Sequence, residues 1–222
     1  RHACILTLHK ILHTTRYEVT AQQLKAQNFK NFSVTPWRLQ LGKAWTVPAI
    51  EFSPKPKTDE TVILLGDEGR SKLATQIQGH LSEGRAVMAI DPFYFGESKI
   101  STHDFLYSIL VAAVGERPLG IQTSQVAAIA RWTHERTKKP VDLEAHGMRT
   151  SAIALMSTTL EIKNIRKAEL HGSLRSFKSL IKEGYGANKY PELFCFGLLE
   201  YFDVPELMKL ATVAGKQRIF FK

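Results

Sequence analysis

Apolar residues fall in short runs, and stretches of helical period separate them. Thr61-Val62-Ile63-Leu64-Leu65 and Ala86-Val87-Met88-Ala89-Ile90 are continuous apolar runs, as expected of strands covered on both faces. Val141 to Glu144, Lys167 to Leu170 and Arg218 to Phe221 read as three more strands. Helical patterns lie between them: about 70–82, closed by Gly84, then about 104–114, 121–137, the stretch after Gly147, near 174–183, and after Pro205. Strands joined by helices imply an α/β class with a mostly parallel sheet flanked by helices. The five strands should be neighbours. Loops that leave their carboxyl ends should then share one edge, here residues 66–70, 91–98, 145–150 and 171–173.

The N-terminal part follows another rhythm. Residues 37–41 and 45–52 flank Gly42-Lys43 as a hairpin, and Pro48 suggests that its second strand lies at an edge. Residues 1–33 read as a helical, peripheral extension, with Thr20 and Gln23 as a capping box and Leu24 and Phe29 following on one side. The division predicted is therefore 1–33 as the extension and 34–222 as one domain. Leu193 to Leu199 reads as core packing or as a lid over an apolar pocket.

Composition changes little in this picture. At 222 residues, 44% hydrophobic and 23% charged, the chain is an ordinary globular one. Apolar runs such as Leu110 to Val114 are too short to cross a bilayer, so no membrane partner is expected. A net charge of +9 raises nucleic acid as a partner, but Lys and Arg are scattered with no basic run longer than Lys138-Lys139, so a solvated basic surface is the reading. Cys4 and Cys195 stand far apart without CxxC or zinc spacing, so two buried free thiols are expected over a single bridge between them, with no metal and no cofactor. With an upstream signal peptide removed the protein would be periplasmic or secreted, and otherwise cytoplasmic; the compartment and the oligomeric state stay open.

The chemistry centres on Val141-Asp142-Leu143-Glu144-Ala145-His146-Gly147-Met148-Arg149-Thr150. A strand runs into small residues and a helix follows at once, the setting of a nucleophile held on a strained turn. The turn reads small, any, nucleophile, any, small. Here Gly147 stands at the nucleophile position, and glycine cannot attack. Gly66-Asp67-Glu68-Gly69 reads as an oxyanion loop, with Asp67, Glu68 and Gly69 in it, as a phosphate turn without the Walker lysine, or as a tight turn with a helix cap. Asp91 ends a strand, where it would orient a histidine or hydrogen-bond the loop that follows. His146 and His171 are candidate bases and Ser173 a candidate nucleophile, each weighed against an ordinary turn role.

Three segments carry a resemblance. Asp91-Pro92-Phe93-Tyr94-Phe95-Gly96-Glu97-Ser98, Gly115-Glu116-Arg117-Pro118-Leu119-Gly120 and Tyr201 to Leu207 resemble the acetyl-xylan-esterase-like branch of the α/β-hydrolase superfamily, over about residues 37–222. The resemblance implies hydrolysis of esters on acylated polysaccharide by an elbow serine with a backbone oxyanion hole, and an acylated carbohydrate or small ester as partner. The sequence departs from it at Gly147, and it ends at Lys222, after the strand that precedes the family's acidic triad member. The expectation is thus a hydrolase-like domain degenerate at its elbow and incomplete at its C-terminus. A non-catalytic carbohydrate- or protein-binding scaffold and an active esterase using Ser173 are the competing readings.

Overall fold

The computed structural model describes residues 1–100, 107–212 and 215–222. The N-terminal part of the helix expected at 104–114 lies outside the described residues. The chain runs from helix α1 (His2–Leu12) through β1 (Val19–Gln23), β2 (Gln27–Asn28), β3 (Phe32–Leu41), β4 (Trp45–Pro54) and β5 (Thr61–Gly66). Then come α2 (Ala74–Ser82), β6 (Ala86–Ile90), α3 (Tyr107–Ala113), α4 (Pro118–Thr137), β7 (Val141–His146), α5 (Met148–Leu160) and β8 (Ile165–His171). The final elements are α6 (Lys178–Lys182), α7 (Leu198–Tyr201), α8 (Val204–Ala211) and β9 (Ile219–Phe221). They form one mixed sheet in the order β1-β3-β4-β6-β5-β7-β8-β9, with β2 beside β3.

The five strands read from apolar continuity are adjacent and parallel: β6-β5-β7-β8-β9. The N-terminal strands are antiparallel, so the sheet is mixed rather than mostly parallel. The hairpin around Gly42-Lys43 is present as β3 and β4. Pro48 does not mark an edge, because β4 lies between β3 and β6. The carbonyl of Pro48 faces β6 and accepts from Asp91 N at 3.3 Å, just past the last ladder pair, Ala49 with Ile90. The N–H that proline lacks would point the same way, where the ladder has already run out.

The helical reading of 1–33 holds only for α1. Residues 19–23 pair along β3, Thr20 opposite Gln40, so the Thr20–Gln23 pattern caps no helix. A sheet edge offers those backbone groups partners, and the segment has no apolar stripe to bury as a helix. Nor is the segment peripheral: Leu8 and Leu12 are fully buried in the main core. Gly120 on α4 permits that approach, since a Cβ there would overlap the Leu12 carbonyl.

The two sheet faces are covered unequally. α1, α4, α5 and α8 pack over Val141, Leu143 and Ala145 and their neighbours as the main core. The opposite face has a small second core of Val62, Leu64, Leu73, Val87 and Ala89 beneath α2. On β7 and β8 that second face carries polar side chains, Glu144, His146, Glu169 and His171, because strand residues alternate between faces. Cys4 and Cys195 are both free and half-buried, and burial pushes the Cys195 thiol up to about 11. No helix among the described residues is long and apolar enough to cross a membrane.

Candidate functional site

The strand-to-helix turn is present, with Gly147 as the residue that precedes α5. Its φ of 122° and ψ of 163° belong to a region open essentially only to glycine. Gly147 N donates to the His171 carbonyl at 2.9 Å, which ties the turn to the next strand. A Cβ built at Gly147 would lie 2.5 Å from Asp67 Oδ1 and nearer still to the rest of that carboxyl group. Asp67 is thus where the side chain of an elbow nucleophile would begin.

Asp67 is held there by the first turn of α5. Its Oδ1 accepts from Thr150 N and Thr150 Oγ1, both at 2.8 Å, and its Oδ2 from Arg149 N at 3.1 Å. A carboxylate at a helix N-terminus satisfies donors that the helix leaves unpaired and faces the positive end of its dipole. Burial pushes the Asp67 carboxyl above the ordinary carboxylate range, against the bonds from Thr150 and Arg149.

Next to the turn the space is filled by charge. Arg149 Nη2 donates to Glu192 Oε1 at 2.6 Å, and Gln122 Nε2 reaches the same oxygen at 3.3 Å. The Arg149 guanidinium lies 4.4 Å from the ring centre of the buried Phe95. Glu192 is 0% exposed. Burial and the Glu192 charge push the Tyr107 phenol well above its ordinary value. Burial disfavours the Arg149 cation, and Glu192 outweighs it and holds the guanidinium above its usual range.

Two of the three oxyanion-loop candidates have their amides engaged elsewhere. Asp67 N donates to the His146 carbonyl and Gly69 N to the Gly66 carbonyl, each at 2.9 Å. Glu68 is exposed. Asp91, 1% exposed, accepts from Arg70 N at 2.7 Å and Glu97 N at 3.1 Å and pairs with the Arg70 guanidinium, so it braces two loops and its carboxylate faces no histidine among these contacts. These loops line a cavity of about 540 Å³ with Phe52 and Ile77, on the α2 side of the sheet.

His146 and His171 do come together, their rings stacked with centres 4.2 Å apart. They meet over Glu144: Oε1 is 2.7 Å from His146 Nε2, and Oε2 is 2.9 Å from His80 Nε2. Burial raises the Glu144 carboxyl, and the bonds and charge of His146 and His80 outweigh it and hold it well below the usual range. His171 is lowered by burial and by its neighbour His146. Ser173 Oγ donates to the Leu174 carbonyl at 3.2 Å and belongs to the turn. The elbow, His146, His171 and the 66–70 loop therefore share one edge, while Ser173 pairs with backbone.

Sequence reasoning missed Arg149 as a filler, Glu192, Glu144 and His80. Glu144 carried a signal, an acid alternating with apolar residues along a strand and two residues from a histidine. Glu192 and His80 lie in segments with no pattern to single them out.

No family model and no curated protein matches the sequence. Solved structures do match. An acetyl xylan esterase, so assigned, from Bacteroides fragilis superposes with a TM-score of 0.82 at 11% identity, over 100% of this chain and 66% of that one. Acetyl xylan esterase 1 from Thermoanaerobacterium sp. gives 0.68 at 12% identity over 100% of this chain and 85% of that one. A cold-adapted esterase from an Arctic intertidal metagenomic library gives 0.56 at 16% identity, over 90% and 87%. The chain thus spans just under two thirds of the first of these structures. At such identities the likeness speaks for architecture, and the architecture is the α/β-hydrolase fold of acetyl xylan esterases and related esterases.

Proposed function

We propose that this chain is an esterase-type α/β-hydrolase domain whose elbow has lost hydrolysis and which serves as a binding or scaffolding unit. The observation that carries this is the Asp67 carboxylate standing where the nucleophile's Cβ would be. Serine-type ester hydrolysis needs a hydroxyl on the turn and a base within about 2.6–3.2 Å of it. Gly147 has no hydroxyl, and the Arg149–Glu192 pair fills the adjoining volume with an anion and a cation already matched. An acylated carbohydrate or small ester remains the ligand class suggested by the structural neighbours.

Hydrolysis by Ser173 is the rival reading, and the bond from Ser173 Oγ to a backbone carbonyl speaks against it. The test is release of acetate from aryl acetates and acetylated xylan by the purified protein, beside its Ser173→Ala and Gly147→Ser variants. We expect little or no turnover in all three. Turnover abolished by Ser173→Ala would move the reaction to that serine, and robust turnover that survives it would overturn both readings.

A further inference from the structure

No zinc-motif spacing marks the histidines in the sequence, yet folding gathers a set of metal donors. Glu144 and His146 alternate on β7 and so project from one face of the sheet. His171 ends β8 directly opposite His146. His146 Nε2 lies 2.7 Å from Glu144 Oε1, and His171 Nε2 lies 3.8 Å from the same oxygen. One ligand atom from each residue falls within 4.8 Å of the other two.

We propose that Glu144, His146 and His171 bind a divalent transition-metal ion of the zinc class, with His80 orienting the carboxylate. Four observations converge on this. His171 Nε2 is buried and has no hydrogen-bond partner among the described residues, a costly arrangement for an imidazole nitrogen unless something else engages it. Two imidazoles and one carboxylate are the donor set of open zinc sites, whereas Mg²⁺ and Ca²⁺ take oxygen ligands. Ligand bonds of about 2.0–2.2 Å in tetrahedral array put donors about 3.3–3.6 Å apart, and the separations of 2.7 and 3.8 Å straddle that range. His80 Nε2 holds the second carboxylate oxygen at 2.9 Å, the outer contact that fixes a ligand's direction.

Coordination requires the two stacked rings, now inclined by 15°, to splay so that both nitrogens aim at one point. The His171 side chain is 34% exposed at a strand end, which leaves it room to turn. His146 would carry its proton on Nδ1 when Nε2 is a ligand. The outward side is left for a water. Such an ion would pin β7 to β8 beside the elbow, and through His80 to α2, whether or not the elbow hydrolyses anything.

The test uses the purified protein freed of metal with a chelator, then titrated with Co²⁺ and Zn²⁺. We expect visible absorption of tetrahedral Co²⁺ at one equivalent, lost on adding Zn²⁺, and a Tm raised by Zn²⁺ but not by Mg²⁺. His80→Ala should weaken binding about 10- to 100-fold. His171→Ala and the size-preserving His171→Gln should weaken it further and remove the Co²⁺ band, and His134→Ala should leave both readouts unchanged. Tm and far-ultraviolet circular dichroism in chelator establish that each variant is folded. Absence of the band and of the Tm rise in the wild-type protein would overturn the proposal. So would binding that survives both His171 substitutions, or equal stabilisation by Mg²⁺.

Discussion

Gly147 and Asp67 should be energetically coupled, and the size of the coupling follows from the geometry. Placing a Cβ on Gly147 does two separate things. It forces an L residue into a conformation at φ 122° that costs about 1–3 kcal/mol. It also drives the Asp67 carboxyl off the first turn of α5, where it accepts three hydrogen bonds. At a net of about 0.5–1.5 kcal/mol per bond, that displacement costs about 2–4 kcal/mol. Gly147→Ala alone should therefore destabilise the protein by about 3–7 kcal/mol. Asp67→Ala forfeits the same three bonds, a loss of about 2–4 kcal/mol, and also empties the space the new methyl needs. In that background Gly147→Ala should cost only the backbone strain. The double variant is then less destabilised than the sum of the single ones by about 2 kcal/mol or more. Urea denaturation of the four proteins, with m-values compared, measures this directly. Additivity within about 0.5 kcal/mol would refute the claim that Asp67 occupies the nucleophile's place.

Two more outcomes follow from the same region. Glu192→Ala leaves the Arg149 cation buried without its partner and should cost about 3–5 kcal/mol in thermal or chemical unfolding, while the paired replacement Arg149→Met with Glu192→Leu should come close to wild-type stability. Asp67 has a folded-state pKa above its unfolded one, so the native state binds that proton more tightly. Its contribution to stability rises as pH falls through the folded value towards about 3.8, and is lost as pH rises again. Asp67→Asn should flatten the dependence of the urea midpoint between about pH 7 and pH 4, and an unchanged profile would show that Asp67 does not supply it.

Local pattern alone determined the parallel half of the sheet. β5 and β6 are continuous apolar runs because both faces are covered, and that coverage is written into every residue of the strand. The turn at Gly147 was legible for a similar reason, since small residues between a strand and a helix are required by the backbone itself. β1 was not legible: Val19 to Gln23 has no strong preference of its own and is a strand because β3 offers it hydrogen-bond partners. The site was decided almost wholly by tertiary structure. Asp67 is 80 residues from Gly147 along the chain and meets it only because β5 and β7 lie side by side. Glu192 is buried only because Arg149 is present to neutralise it. His80, Glu144, His146 and His171 come from three different elements, and only the sheet register and the seating of α2 bring them around one carboxylate. Side chains that act across space leave no periodic trace in the sequence, so their identity could be read there but not their meeting.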